Sequence, residues 1–456
     1  MNYKKLNIIV GWITFAIALA VYFITMEPTA SFWDCGEFIT ISYKLEVGHP
    51  PGAPFYMLLG RFFTLFGSPQ SAAVLMNIFT ALVSAFTILF LFWTITHLTK
   101  RVVTNNGDIT TGQTIAILGS GLVGALAYTF SDTFWFSAVE AEVYGFSSFF
   151  TAIVFWAILK WENIADEPHS NRWLILIFYL FGLSIGVHLL NLLALPAIVF
   201  VYYYKKYEVS NKGIFIALSI SAIILAIILY GIIPGAVSLA TVFELIFVNG
   251  IGLPIHSGFF VYLFVLVALV SYGLYYTYKK KKVLLNTIIL SFTVIMIGYS
   301  TYMLIPIRSN ANPPMDQNSP NNAFAMLSFL NREQYGSRPL VYGQYYNSPL
   351  DQNEPYVHDK TERRVKDGKY VVSQERKKPN YSDEFSTFFP RMWSKNDPRH
   401  IEEYQRWGKV RGIKKTYRGS DGQTETITKP TFAENIRFFV NYQVGFMYLR
   451  YFMWNF

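Results

Sequence analysis

Nine apolar stretches, most of them near the roughly 20 residues that an α-helix needs to cross a bilayer, run through the first two-thirds of this chain. They lie at about 6–26, 72–98, 113–130, 141–161, 173–187, 189–204, 214–233, 259–278 and 283–305. A water-soluble fold has no core large enough to hide them all, and the chain is 52% hydrophobic over 456 residues. The predicted fold class is an all-α polytopic membrane protein with about nine transmembrane helices. The fifth and sixth stretches are short and adjacent, so they can also form one broken hairpin. The first has no small-residue cleavage site behind it and reads as an uncleaved anchor.

Lysine and arginine in short loops gather on the cytoplasmic side of a membrane. With the N-terminus placed there, Lys4, Lys5, Lys100, Arg101, Lys160, Arg172, Lys205, Lys206, Lys212 and Lys279 to Lys282 all fall inside. Only Lys44 and Arg61 fall in an outer loop, 2 against 13. Residues 1–305 are then a transmembrane core with outer loops at 27–71, 131–145 and 234–257. The last of these is punctuated by Gly and Pro, is amphipathic, and is expected to lie along the membrane surface.

Residues 306–456 hold 23 of the 38 Lys/Arg and lack the long apolar runs. They are expected to form a water-facing α+β domain on the outer side. A hairpin is expected at Asp367-Gly368, followed by strand-like Tyr370-Val371-Val372, and a second around Ser420-Asp421-Gly422. The aromatic, helical finish at 432–456 ends on Asn455-Phe456 with no polar tail, so the natural chain is expected to continue. The net charge of +9 fits anionic lipid headgroups, and no basic stretch has the motif context of a nucleic-acid binder. A single cysteine, Cys35, excludes an internal disulfide framework.

Chemistry concentrates in the outer loops. In the first, Asp34 and Glu37 are three apart, which puts both carboxyls on one face of a helical turn. Such a pair can work as general base and partner, or share a divalent metal. The same spacing fits a capping box, with Asp34 as N-cap and Glu37 reaching back. Gly48-His49-Pro50-Pro51-Gly52 makes a rigid turn whose backbone can approach a ligand. His49 can hydrogen-bond a phosphate or carboxylate there, or simply be a satisfied structural residue. In the second loop, on the assumption of a continuous helix, Glu140 and Tyr144 share a face while Glu142 points away, so one glutamate faces a central cavity. His188 and Asn191, between the fifth and sixth stretches, can reach the same cavity or satisfy the hairpin backbone. Arg61 and Arg308 are outer arginines able to grip a lipid phosphate or to anchor at the interface. Gly119, Gly121 and Gly124 read as helix packing; no P-loop, zinc spacing or serine elbow is present.

Several blocks carry a resemblance. Asp34-Cys35-Gly36-Glu37, Gly48-His49-Pro50-Pro51-Gly52, the Glu-Ala-Glu-Val-Tyr run at 140–144, Ile305-Pro306-Ile307-Arg308, Asn312-Pro313-Pro314 and Asn331-Arg332-Glu333-Gln334-Tyr335-Gly336 resemble a bacterial family of unknown function related to the eukaryotic plexin-type protein O-mannosyltransferases. That family is similar to the GT-C glycosyltransferases. The resemblance implies a GT-C-like bundle in a bacterial inner membrane, with the N-terminus cytoplasmic and the C-terminal domain periplasmic. It implies a polyprenyl-phosphate-linked sugar as donor, mannose first, and a hydroxyl on a translocated protein as acceptor. By position Asp34 matches the essential first-loop acid, the base of an inverting transfer, and Glu37 is its companion. His49, Glu140, Glu142 and Tyr144 would line the site with His188 and Asn191, and Arg308 and Arg61 would neutralise the departing phosphate. A divalent metal on Asp34 and Glu37 is open, though a full cage is not expected. The alternatives are a flippase of a lipid-linked sugar and a transferase acting on a lipid or glycan acceptor.

Overall fold

The computed structural model describes residues 2–104, 109–418 and 424–455. The chain divides into two compact units, Met1–Arg332 and Glu333–Phe456.

Among the described residues, the regular structure of the first unit is helical. In chain order its α-helices are α1 (Tyr3–Ile24), α2 (Cys35–Lys44), α3 (Pro54–Thr64), α4 (Ala72–Val103), α5 (Thr111–Thr129), α6 (Asp132–Ala138), α7 (Val143–Ile164), α8 (Arg172–Ile185), α9 (Leu195–Lys206), α10 (Asn211–Ala226), α11 (Ile233–Glu244), α12 (Ser257–Lys279), α13 (Val283–Tyr299), α14 (Leu304–Ser309) and α15 (Ala323–Leu330). Among the described residues, six helical stretches are long and apolar enough to cross a membrane: Tyr3–Ile24, Pro69–Val103, Val143–Ile164, Asn211–Gly250, Ser257–Lys279 and Val283–Ser309. The protein is therefore a multi-pass membrane protein.

The expected nine full spans are not confirmed by helix length and composition. α5 and α6 bend by 70° at the break between them, and count as a seventh span only if the pair is taken as one. α8 has 14 residues and α9 has 12. At 1.5 Å per residue each is about 20 Å long, short of a hydrocarbon core of about 30 Å. Between them a 3₁₀ turn, Leu189–Ala194, breaks the run as the short fifth and sixth stretches suggested. The third outer loop is also mostly absent. Helix continues through Asn211–Gly250, with π-helical segments at Ile227–Ile232 and Leu245–Gly250. The first of these segments ends two residues before Pro234, in the opening turn of α11. The wider π turn accommodates a ring that would clash in regular α-helix, so the proline does not end the span.

The largest core of this unit joins α2, α3, α4, α7, α8, α13 and α15. α8 and α13 meet backbone to backbone: a Cβ on Gly182 would lie 2.5 Å from the Ile295 carbonyl oxygen, and one on Gly298 2.4 Å from the Leu183 nitrogen. Residues 306–332, read from sequence as part of the water-facing domain, pack into this first unit. Phe329 is fully buried, and Asp316 pairs with Val47 of the first outer loop in a parallel bridge.

Among its described residues the second unit has three two-stranded antiparallel sheets. β1 (Tyr342–Gln344) pairs β4 (Ser386–Phe388), β2 (Tyr356–Lys366) pairs β3 (Lys369–Pro379), and β5 (Ile413–Arg418) pairs β6 (Thr424–Lys429). Asp367 and Gly368 both have positive φ, 50° and 73°, as a two-residue hairpin turn demands. The second expected hairpin is the β5–β6 pair; its turn, at 419–423, lies outside the described residues. α16 (Pro398–Gly408) and α17 (Phe432–Phe438) close a small core of Tyr345, Tyr346, Met392, Tyr404 and Phe438.

Candidate functional site

The site is built where α2, α3 and α7 begin and α8 ends. Cys35, Phe38, Ile41 and Ser42 bury one face of α2. That spacing leaves Asp34 and Glu37 at its start, beside the 48–52 turn. Asp34 occupies the N-cap position, yet its side chain makes no capping hydrogen bond and is exposed. Glu37 does not reach back either. Its Oε1 accepts the His49 backbone N–H at 2.6 Å and lies 2.9 Å from His49 Nδ1. The capping box is therefore not formed, and the two acids have different surroundings. Burial pushes Glu37 up, but the side-chain and backbone hydrogen bonds from His49 outweigh it and hold the carboxyl below its ordinary range. The bond to Glu37 in turn raises His49 against its own burial. Gly48 permits this approach, since a Cβ there would lie 2.5 Å from Glu37 Oε1.

The turn itself is pinned from below. Tyr302 Oη donates to the carbonyls of Gly52 at 3.4 Å and Ile185 at 3.3 Å, and the Phe55 N–H donates to Gly186 at 2.8 Å. A cavity of about 280 Å³ opens between these elements. Asp34, Glu37, His49, Glu142, Tyr144, His188, Tyr302 and Arg332 line it.

The second loop behaves differently from a continuous helix. Helix α6 ends at Ala138 and α7 starts at Val143, so residues 139–142 have no helical face. Glu142 is extended (φ −127°, ψ 153°), caps α7 by accepting the Val143 N–H at 3.3 Å, and turns into the cavity. Glu140 sits behind it, 4% exposed, and is not among the lining residues. Burial raises both carboxyls, Glu142 to about 7 with further push from Asp34 and Glu140. Tyr144 and His188 pack with ring centroids 5.4 Å apart on the cavity wall. His188 Nδ1 accepts the Leu190 N–H, and burial lowers this histidine. Asn191 is fully buried in the 3₁₀ turn, donates to Ser184, and lies outside the lining.

The two arginines expected at a phosphate are used elsewhere. Arg308 Nε donates to the Leu45 carbonyl at 2.5 Å, and Arg61 Nη1 to the Tyr43 carbonyl at 2.5 Å while stacking over the Tyr43 ring. Both satisfy carbonyls at the C-terminal end of α2, where a helix leaves them unpaired. The cation at the cavity is Arg332. It falls within the Asn331–Gly336 block noted in the sequence, but nothing in its local spacing marks it. Single donor atoms of Asp34, Glu37 and His49 lie within 4.8 Å of one another. The Glu37–His49 hydrogen bond uses Oε1 and Nδ1, so Glu37 Oε2 and His49 Nε2 remain available, and a hard ion would need further oxygens beyond this group.

Fold and site together define a multi-pass membrane protein with an acid-lined cavity beside its helix starts. Residues 34–211 match the family described as the Protein O-mannosyl-transferase TMEM260 N-terminal domain, and residues 336–440 match a family of unknown function, DUF8416. Over 153 residues, 33% of this chain, it is 26% identical to the Protein O-mannosyl-transferase tmem260 of Dictyostelium discoideum. Over 158 residues, 35% of the chain, it is 24% identical to the Protein O-mannosyl-transferase TMEM260 of Mus musculus. These stretches span 17% and 20% of the two relatives' lengths. No solved structure matches. The chain is thus related to the plexin-type protein O-mannosyltransferases.

Proposed function

We propose that this protein is a GT-C-like inverting glycosyltransferase that moves a sugar, mannose first, from a polyprenyl-phosphate carrier to a hydroxyl of a translocated protein at the outer face of a bacterial inner membrane. The relation to proteins named O-mannosyltransferases supports the reaction class, and the loop charges support the orientation. One observation carries the assignment: Asp34 lines the cavity with a carboxylate that no cap consumes. In the transfer, the acceptor oxygen attacks the anomeric carbon as Asp34 takes its proton. The bond from that carbon to the phosphate oxygen breaks, and the lipid phosphate leaves with the electron pair. Arg332, rather than Arg308 or Arg61, is the cation placed to meet the charge that grows on the phosphate. Glu37, locked to His49, fixes the turn that faces Asp34. A second cavity of about 860 Å³, apolar and bounded by α11, α12, α13 and α15, shares Tyr302 with the first and suits the carrier's hydrocarbon chain.

The test is Asp34→Asn in the inserted full chain, supplied with polyprenyl-phosphomannose and a Ser/Thr acceptor peptide. Losing a general base is worth about 10²–10⁴ in rate. Undiminished mannosyl transfer by the variant would remove Asp34 as base.

A further inference from the structure

Glu37 is tied to His49, Glu140 is tucked behind the wall, and Asp34 is exposed; Glu142 combines burial with a place on the cavity wall. It is 6% exposed and lines the same cavity as Asp34. Its partners are the Val143 N–H at 3.3 Å and the Cys35 sulfur at 4.0 Å, and it has no ion pair among the described residues. We propose that Glu142 stands in the cavity as a neutral carboxylic acid and donates a hydrogen bond to a hydroxyl of the donor's hexose, beside Asp34 on the same cavity wall. The proposal rests on the transferase reading above.

Asp34 and Glu140 press on Glu142 with like charge, and Tyr56, Tyr144 and the Cys35 thiol around it bring no positive charge. The nearby histidine, His49, already has its Nδ1 on Glu37. Arg332 lines the same cavity and His49 draws the pKa of Glu142 down, but neither forms an ion pair with it among the described residues, so a carboxylate here would be a buried anion outside any ion pair, which is costly. The direction of its acidity agrees, since burial first and the two carboxylates next raise it to about 7. The chemistry of the ligand also agrees. A hexose is an uncharged polyol that offers nothing to balance an anion. A neutral carboxyl both donates and accepts, as a hydroxyl pair requires, whereas a carboxylate only accepts.

The experiment uses the full chain in lipid nanodiscs, as wild type, Glu142→Gln and Glu142→Ala, with polyprenyl-phosphomannose and with sugarless polyprenyl phosphate. Infrared difference spectra between wild type and Glu142→Gln should show a protonated carboxyl at pH 6 that fades as the pH passes about 7. Loss of the hydrogen bond in Glu142→Ala should weaken the mannosylated donor about tenfold and leave the sugarless carrier unchanged. Glu142→Gln, which keeps a donor and an acceptor, should bind within about threefold of wild type and lose the decline in donor affinity above pH 7. Absence of the protonated band at pH 6 overturns the proposal. So does a Glu142→Gln protein that melts normally but binds as weakly as Glu142→Ala. Equal loss of both carriers overturns it too, since the sugar would not be what Glu142 holds. A wild type that binds the donor but transfers nothing defeats the transferase reading alone, and the spectra and affinities still decide Glu142.

Discussion

Substituting Gly48 by alanine should damage the site through Glu37 rather than through the backbone. Gly48 is not in a left-handed conformation, so alanine meets no torsional penalty there. What it meets is side chain: the new Cβ would lie 2.5 Å from Glu37 Oε1 and 2.9 Å from Ile41 Cδ1. Both atoms are at the far ends of flexible chains, so Glu37 should swing away and release His49. Two hydrogen bonds to a charged oxygen are then lost. Such bonds contribute about 1.5–3 kcal/mol each when buried. The His49 and Glu37 side chains are 28% and 18% exposed, and solvent screening brings each bond below that range, to about 1 kcal/mol and about 2 kcal/mol in all. The assay is a double-mutant cycle of Gly48→Ala and Glu37→Ala, read by thermal unfolding in detergent and by sugar transfer. Residues that share one interaction are not additive. Gly48→Ala should therefore cost about 2 kcal/mol alone and well under 1 kcal/mol on the Glu37→Ala background. An equal cost on both backgrounds, or no cost on either, would refute the reasoning.

Arg308→Ala should lower stability by about 1–2 kcal/mol by leaving the Leu45 carbonyl unpaired. Arg332→Ala should instead slow transfer with little change in melting, and kinetics beside unfolding curves will separate the two. The Glu37–His49 pair should stabilise the first outer loop within a pH window. Glu37 lies below its ordinary 4.5, so its share is present above 4.5 and is lost as pH falls through the lowered value; His49 lies above 6.5, so its share is present below 6.5 and is lost as pH rises through the raised value. Protection of the His49 amide from exchange should thus be greatest between those limits and should flatten in Glu37→Gln. In the second unit, Glu434→Ala removes the acceptor for the N–H groups of Thr431, Arg411 and Gly412, so α17 should fray. The expected loss is about 1–3 kcal/mol by chemical denaturation.

The parts of this protein legible in its sequence are those decided over short distances along the chain. Long apolar runs become helices because the backbone must satisfy itself in lipid. Asp367-Gly368 turns a hairpin because both residues accept positive φ. Asp34 and Glu37 start α2 together because three residues make most of a turn. Tertiary structure decided which of those groups meet. Glu142 rather than Glu140 turns to the cavity because α7 begins one residue later, a boundary that periodicity cannot locate. Arg308 closes on Leu45 and Arg332 reaches the cavity through contacts with residues far away in the chain, which no local pattern encodes. The same limit accounts for the spans. Hydropathy counts apolar side chains but cannot locate where a helix breaks, so it does not show that the 3₁₀ turn at 189–194 leaves α8 and α9 each shorter than the usual spanning length.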